Sequence, residues 1–220
     1  MLGNMIMLIM EWIGTISFAV SGALVAIGCS LDLFGVVIVG CMTAFGGGVI
    51  RDILIGNIPP KVFMNPPLII VAIVTSVLVF CIAYVHRNKF NKIRTKTENI
   101  NNFFDALGLA AFSITGIEVV CLSAYESNVF LTITLGVLTG VGGGIIRDIL
   151  VNEKPYVLTK HIYAVVSVAG CVIYYVISVC LGHKVVATVF VVLFTVVMRM
   201  LAAKFRWKLP KVKLDENNEQ

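Results

Sequence analysis

One short segment that occurs twice decides the fold of this chain. Residues 45–55 read FGGGVIRDILI and residues 141–151 read VGGGIIRDILV, so three glycines, an arginine and an aspartate coincide at a shift of 96 residues. Two apolar helices that resemble each other by chance would match at Leu and Val, whereas these matches are glycines and charged residues. Further matches lie upstream at a shift of 94: Glu11 with Asp105, Gly14 with Gly108, Phe18 with Phe112, Ser21 with Thr115 and Gly22 with Gly116. The chain therefore contains an internal repeat.

The composition places both copies of the repeat in a membrane. Of the 220 residues, 59% are hydrophobic and 13% are charged, and the mean hydropathy is +0.98. A soluble domain has about 45–50% apolar and about 25% charged residues, so a soluble globular protein is excluded. No polar stretch is long enough to bury a core of its own, which excludes a separate extramembrane domain.

Seven apolar runs are long enough to cross a bilayer, for which an α-helix needs about 20 residues. A β-barrel is excluded because its strands would be alternating segments of about 10 residues. The predicted spans are 5–29, 33–55, 68–86, 103–123, 129–150, 161–181 and 184–203. We therefore predict an all-α membrane protein with one transmembrane domain over residues 1–205 and a polar cytoplasmic tail over residues 206–220.

The first six spans divide into two repeats of three helices, over about residues 5–87 and 101–181. Because three is an odd number, the second repeat enters the membrane from the opposite face, and the repeats are inverted. In such folds the permeation or binding site lies at the repeat interface near the bilayer midplane. The seventh helix, at about 184–203, lies outside the repeat and is expected to pack at the periphery or between subunits.

The basic residues orient the bundle. Seven spans place only Lys61 and Lys184 on one side. The positive-inside rule then predicts an N-terminus outside and a C-terminus in the cytoplasm of a cell (inner) membrane. The chain has a net charge of +5, and its basic residues lie in short juxtamembrane loops. Basic residues in such loops indicate anionic lipid headgroups as partners, and we predict no binding of nucleic acid. Twelve basic residues lie on the other side: Arg87, Lys89, Lys92, Arg94, Lys96, Lys154, Lys160, Lys204, Arg206, Lys208, Lys211 and Lys213.

The glycine triplets are costly in a helix, at about 0.8–1.0 kcal/mol per glycine relative to alanine in exposed hosts. Two uses would compensate for that cost: close packing of two helices, or an unwound backbone that lines a water-filled path. Duplication at matching positions of inverted halves favours a path. The glycines predicted to line it are Gly46, Gly47, Gly48, Gly142, Gly143 and Gly144.

Arg51 and Arg147 are more costly still, at about 2.5–3.5 kcal/mol for an arginine near the centre of a spanning helix. Snorkelling of both side chains to the membrane surface is the alternative, since each lies in the last third of its span. Depth in the membrane places Glu11 beside Arg51 towards the outer side and Asp105 beside Arg147 towards the cytoplasm. We therefore predict one buried ion pair at each end of the bundle.

Three further acidic residues belong to the predicted path. Asp52 and Asp148 adjoin the arginines but are expected to point elsewhere, because neighbouring residues do not share a helix face. They would then line the mouths of the path or bind water. Glu118 lies inside the fourth span without a counterpart in the first repeat, and it is either a cation or proton site or an interfacial carboxylate.

No pattern in the sequence indicates catalysis or a bound cofactor. The six cysteines form no CxxC pair and the three histidines are scattered. The glycine run lacks the spacing and the Lys-Ser/Thr ending of a nucleotide-binding loop. We therefore predict neither an enzyme nor a metal or cofactor site.

The duplicated GGGxxRD motif, with FAVSGALVA at 18–26 and DALGLAAF at 105–112, resembles the bacterial TRIC (trimeric intracellular cation) channel and glycine-transporter-domain family. The resemblance implies a homotrimer with a pore in each protomer and passage of monovalent cations, chiefly potassium. It also implies that helices two and five are broken at their glycines, with the two Arg-Asp pairs beside the path. The chain departs from the family at 116–120, where many relatives have a basic residue and this sequence has Glu118.

The resemblance covers two mechanisms, and both remain open. A channel needs a continuous hydrated route with weak sites, whereas a carrier needs an occluded site and alternating access. Inverted repeats serve both, and the glycine backbones and acids listed above could hold either a cation or the two charged ends of glycine. We expect a channel, with a secondary transporter of glycine or a similarly small solute as the alternative.

Overall fold

A computed structural model describes residues 2–86, 94–159, 163–205 and 207, and this part of the chain is almost entirely helical. A 3₁₀ helix, Lys61–Met64, precedes the α-helix that begins at Pro66, and a π-helical segment, Val176–Cys180, directly follows the α-helix that ends at Tyr175. The α-helices are α1 (Leu2–Gly28), α2 (Leu33–Leu54), α3 (Pro66–Val85), α4 (Arg94–Cys121), α5 (Val129–Leu150), α6 (Tyr156–Thr159), α7 (Tyr163–Tyr175) and α8 (Lys184–Phe205).

The described residues contain seven helices that are long and apolar enough to cross a membrane. They are Met5–Gly28, Leu33–Leu54, Pro66–Val85, Glu98–Cys121, Val129–Leu150, Tyr163–Cys180 and Lys184–Phe205. The predicted all-α fold with seven spans is confirmed, and the boundaries differ by only a few residues. The predicted tail lies outside the described residues except for Trp207, as do most of the basic residues between α3 and α4.

Capping residues at equivalent positions of the two repeats start α2 and α5. The Asp32 side chain accepts a hydrogen bond of 2.8 Å from the backbone N–H of Gly35 at the start of α2. Asn128 accepts one of 3.0 Å from Leu131 at the start of α5. Asp32 and Asn128 are related by the same shift of 96 residues as the glycine triplets. The repeat therefore extends to the N-caps, which satisfy free amides at the beginning of each helix.

The two repeats pack against each other in opposite directions. The rings of Phe18 in α1 and Phe112 in α4 are 5.2 Å apart, and Ser21, later in α1, donates a hydrogen bond to Asn101, earlier in α4. A later position in α1 therefore contacts an earlier position in α4, so the two helices are antiparallel. Phe18 and Phe112 are equivalent in the repeat, so their contact lies on a pseudo-two-fold axis between inverted halves.

Helix α8, which is the seventh membrane span, is joined to α4 by an ion pair near each of its ends. Near its N-terminus, Lys184 forms an ion pair of 2.7 Å with Glu118, and near its C-terminus Arg199 forms one of 2.8 Å with Asp105. Between them, Val191 packs in a core cluster with residues of α4 and α7. The opposite face exposes large apolar side chains, among them Phe190 and Leu193. One face of α8 is thus exposed, while its Arg199 reaches the buried Asp105 inside the bundle.

Candidate functional site

The helices α2 and α5 cross at their glycine triplets. A Cβ atom on Gly47 would collide with the carbonyl oxygen of Thr139, and one on Gly143 would collide with that of Thr43. A Cβ atom on Gly142 would lie 3.0 Å from the Cα of Gly47. Gly47 and Thr43 are the repeat equivalents of Gly143 and Thr139. The two backbones therefore touch on the pseudo-two-fold axis, which only residues without a side chain permit.

Both glycine-rich helices are continuous. The α-helical conformation runs without interruption over Leu33–Leu54 and over Val129–Leu150. The expectation that helices two and five are broken at their glycines is therefore wrong for this structure. The physical reason is that the close contact of two helices uses the small size of glycine and leaves the helical hydrogen bonds intact.

The third glycine of each triplet faces the arginine one turn later. A Cβ atom on Gly48 would have Arg51 Nη2 at 3.7 Å as its nearest neighbour. A Cβ atom on Gly144 would lie 3.8 Å from Arg147 Nη2 and 3.2 Å from the Tyr163 hydroxyl. Gly48 and Gly144 thus border the two guanidinium groups instead of the helix crossing.

At the predicted cytoplasmic end, Arg147 is the centre of a cluster that we call the inner cluster. Its side chain is fully buried, and Nη1 donates hydrogen bonds to Asp105 Oδ1 at 2.8 Å and to Ser21 Oγ at 2.7 Å. The predicted ion pair of Asp105 with Arg147 is therefore present. The inner cluster comprises Ser21, Asp105, Arg147, Asp148, Tyr163 and Arg199.

The aspartate next to each arginine is its direct partner. Arg147 Nε donates to Asp148 Oδ1 at 2.8 Å, and Arg51 Nε donates to Asp52 Oδ1 at 2.9 Å. The expectation that these aspartates point elsewhere is wrong, because a long arginine side chain can curl around the helix to its neighbour. The other carboxylate oxygen is also held: Asp148 accepts from the Tyr156 backbone N–H.

The outer end has the same core but lacks the predicted pair with Glu11. Arg51 is buried and holds Asp52, whose Oδ2 accepts from the backbone N–H of Lys61 at 2.9 Å. The half-buried Glu11 interacts electrostatically with Arg51 and Lys61 but forms no ion pair with either. The predicted Glu11–Arg51 ion pair is wrong for the described residues: Asp52 accepts from Nε and Nη2 of Arg51, and Glu11 stays partly exposed instead of being drawn in as Asp105 is. We call Glu11, Arg51, Asp52 and Lys61 the outer cluster.

Three residues of the inner cluster, Ser21, Tyr163 and Arg199, were not predicted from the sequence as site residues, although Ser21 was noted as a repeat match. Arg199 Nη2 donates to Asp105 Oδ2 at 2.8 Å, and its guanidinium carbon lies 4.0 Å from the centre of the Tyr163 ring. Arg199 is an arginine inside an apolar span, so the rule that selected Arg147 would have selected it as well. Tyr163 carries no comparable signal, because a tyrosine at the start of a span is ordinary in membrane proteins.

Glu118 lies outside both clusters. Its carboxylate is buried and accepts hydrogen bonds from Tyr174 at 3.0 Å and from Ser178 at 3.3 Å, in addition to the Lys184 ion pair. Ser178 belongs to the π-helical segment after α7. Glu118 therefore joins α4, α7 and α8 at one end of the bundle, and Lys184 provides the nearby positive charge.

Comparisons with known proteins agree with this architecture. The family model described as "Glycine transporter" matches residues 8–84 and 102–179, which are the two repeats. The UPF0126 inner membrane protein YadS of Escherichia coli K12 is 36% identical over 94% of this chain and 97% of its own length. The UPF0126 membrane protein YvgT of Bacillus subtilis is 40% identical over 90% of this chain and 92% of its own length.

Solved structures show the same fold. One, described as the structural basis for conductance through TRIC cation channels, has a TM-score of 0.78 and 36% identity over 94% of this chain and 97% of its own. A prokaryotic TRIC channel crystallised in 0.5 M KCl has a TM-score of 0.81 and 33% identity, covering 94% of this chain and all of the other. This chain belongs to the glycine transporter domain family of multi-pass membrane proteins, whose solved relatives are TRIC channels.

Proposed function

We propose that this protein is a membrane channel that passes monovalent cations, chiefly potassium, along a path within each subunit. The single observation that carries the proposal is the similarity to a solved TRIC cation channel, with 36% identity over 94% of this chain and a TM-score of 0.78. Such similarity over nearly the whole length includes both repeats and α8.

The proposed path runs across the membrane from the outer cluster to the inner cluster, and it crosses the pseudo-two-fold axis, which lies in the membrane plane, at the glycine crossing. At each end an arginine is held by the aspartate beside it, so that the charges are nearly balanced. Rings of carboxylates and exposed carbonyls are the usual means of attracting and passing cations. The residues assigned to the path are Glu11, Gly46, Gly47, Gly48, Arg51, Asp52, Asp105, Gly142, Gly143, Gly144, Arg147 and Asp148. Glu118, which lies outside both clusters at one end of the bundle, is added as a separate cation or proton site.

The decisive experiment uses the purified protein in planar lipid bilayers. Unitary currents in potassium chloride, with a reversal potential that follows the potassium gradient, are expected. Replacing potassium by sodium measures the selectivity between the two cations. A protein that is folded and inserted but gives no unitary current under any voltage would overturn the channel.

We also propose that the protein is a homotrimer in the inner membrane, with its N-terminus outside and its C-terminus in the cytoplasm. The support is a solved structure described as the TRIC trimeric intracellular cation channel orthologue from Rhodobacter sphaeroides, which is 26% identical over 90% of this chain with a TM-score of 0.79. Large apolar side chains exposed on α3 and α8 suit contacts with lipid or another subunit. Native mass spectrometry tests the trimer, and reporter fusions at the two termini test the orientation.

The alternative is a secondary transporter of glycine or a similarly small solute. The observation that favours it is the description of the matching family model as a glycine transporter, together with inverted repeats that alternating access also uses. Counterflow of labelled glycine into proteoliposomes distinguishes the two. Saturable counterflow without unitary currents would replace the channel by the carrier.

A further inference from the structure

The two ends of the proposed path are built from equivalent residues but are closed to different degrees. Arg147 and Asp105 have side chains that are 0% and 1% exposed, whereas Arg51 is 7% exposed and Glu11, the equivalent of Asp105, is half-buried. The difference coincides with one residue from outside the repeat. Arg199 of α8 reaches the inner cluster, and no residue of α8 reaches the outer one among the described ion pairs.

Arg199 holds Asp105 from the side opposite to Arg147. One carboxylate oxygen of Asp105 accepts from Arg147 and the other from Arg199, each at 2.8 Å. The guanidinium of Arg199 also lies over the Tyr163 ring, whose hydroxyl borders Gly144. A carboxylate clamped between two buried arginines loses a large stabilisation when either one is removed, because the remaining charges stay buried without a full set of partners.

We propose that Arg199 is a positioning residue of the path. It fixes Asp105, and through Asp105 the guanidinium of Arg147, in the arrangement that excludes water from the inner end. Movement of the C-terminal part of α8 away from α4 would release this arrangement. Helix α8 would then control the access of water to the inner end of the path, although only residues of the two repeats form the rest of the path. The inference rests on the proposed path, and the test below separates the two.

Ser21 offers a direct probe of this seal, because its side chain is fully buried against Arg147. We would introduce Ser21→Cys and measure its modification by a membrane-impermeant thiol reagent in proteoliposomes. Mass spectrometry of the peptide that carries residue 21 separates this thiol from the six native cysteines. The parent variant is expected to react slowly. Addition of Arg199→Gln is expected to accelerate the reaction by about tenfold or more, because loss of one partner weakens a buried ion network.

Two matched controls distinguish a seal from a general loosening. Lys204→Gln removes a positive charge from the same end of α8, where Lys204 Nζ lies 5.8 Å from the centre of the Phe205 ring and takes part in none of the ion pairs among the described residues, and it is expected to leave the rate unchanged. Ser76→Cys probes an equally buried position between α2 and α3, where Arg199→Gln is expected to have no effect. Equal rates for Arg199→Gln and Lys204→Gln, or acceleration at both residue 21 and residue 76, would overturn the proposal.

A milder variant covers the case in which Arg199→Gln yields no folded protein. Arg199→Lys keeps a charge for Asp105 but loses the guanidinium that lies over the Tyr163 ring, so its rate is expected to lie between those of the parent and of Arg199→Gln. A rate equal to the parent in the only folded variant would count against the proposal.

Current recordings add a second readout. Arg199→Gln is expected to raise the open probability at least several-fold while Lys204→Gln does not. If the protein carries no current at all, the proposed channel fails, but the labelling rates still decide whether Arg199 seals the inner cluster. If currents are present and neither labelling nor open probability depends on Arg199, the proposed channel stands and this inference fails.

Discussion

Two acidic residues of α4 show how the surroundings of a charge set its importance. Asp105 is 0% exposed and has two arginines as partners, from α5 and from α8. Glu118 is also buried, but its lysine partner has a side chain that is 41% exposed and can reach the membrane surface by itself. The sequence separates the two acids only by the repeat, in which Asp105 has a counterpart and Glu118 has none, and their partners show why they differ in importance.

We expect Asp105→Asn to lower the free energy of unfolding by about 3–5 kcal/mol, because it leaves two buried guanidinium groups with too little negative charge. Glu118→Gln keeps an acceptor for Tyr174 and releases a lysine that water can solvate, so a loss of about 1 kcal/mol or less is expected. Unfolding of both variants in detergent micelles, followed by circular dichroism, measures the difference. Equal losses would show that the partners of these acids do not set their contribution.

At the scale of a single helix, the crossing of α2 and α5 shows that neighbouring glycines of one triplet have different roles. The helices are continuous, and the first two glycines of each triplet lie against the partner helix while the third faces an arginine. Of the two uses of glycine that the sequence left open, close packing is the one that the structure shows. The triplet alone could not decide this, because the same residues permit both a tight contact and an unwound turn.

We expect Gly47→Ala to destabilise the protein by about 1–3 kcal/mol, because the added methyl group forces the Thr139 carbonyl and the whole of α5 away. Gly48→Ala is the matched control one residue later. Its methyl group has no neighbour closer than 3.7 Å, so this variant is expected to be neutral or more stable by up to about 1 kcal/mol. Thermal unfolding of the two variants side by side tests this contrast, and a Gly48→Ala loss as large as that of Gly47→Ala would contradict it.

At the scale of the whole molecule, the pseudo-two-fold symmetry is broken by α8. Arg51 and Arg147 are equivalent in sequence and each holds the adjacent aspartate. Arg147 also binds Asp105 and Ser21 and shares Asp105 with Arg199, whereas Arg51 has no second ion pair within the part of the chain that the structure describes. The two ends of the bundle therefore differ in the number of partners of their arginines as well as in exposure.

This asymmetry predicts unequal costs for equivalent substitutions. Arg147→Gln is expected to lower the free energy of unfolding by about 3–5 kcal/mol, because Asp105 and Asp148 remain buried. For Arg51→Gln, the loss in free energy of unfolding is expected to be smaller by at least about 1 kcal/mol, which is roughly the contribution of one charged hydrogen bond. The reason is that this substitution leaves fewer buried acids without a partner. The same unfolding measurement compares them, with the double variant as a check of additivity across the bundle. A larger loss for Arg51→Gln would refute the inequality.

Much of this molecule followed from its sequence because hydrophobic length and repetition are local properties. Runs of about 20 apolar residues can satisfy their backbone in lipid only as helices, and three helices per repeat require inversion. The buried arginines and Asp105 were also predictable, because a charge in an apolar span needs a partner at the same depth.

The tertiary structure decided what depth alone leaves open. Arg51 and Arg147 pair with the adjacent aspartates because the backbone amides of Lys61 and Tyr156, which follow the helix ends, hold those carboxylates in place. Arg199 joins the inner cluster because α8 runs antiparallel to α4 and brings residues far apart in the chain to one point. Side-chain partners across helices depend on the packing of the whole bundle, and no single stretch of sequence contains that information.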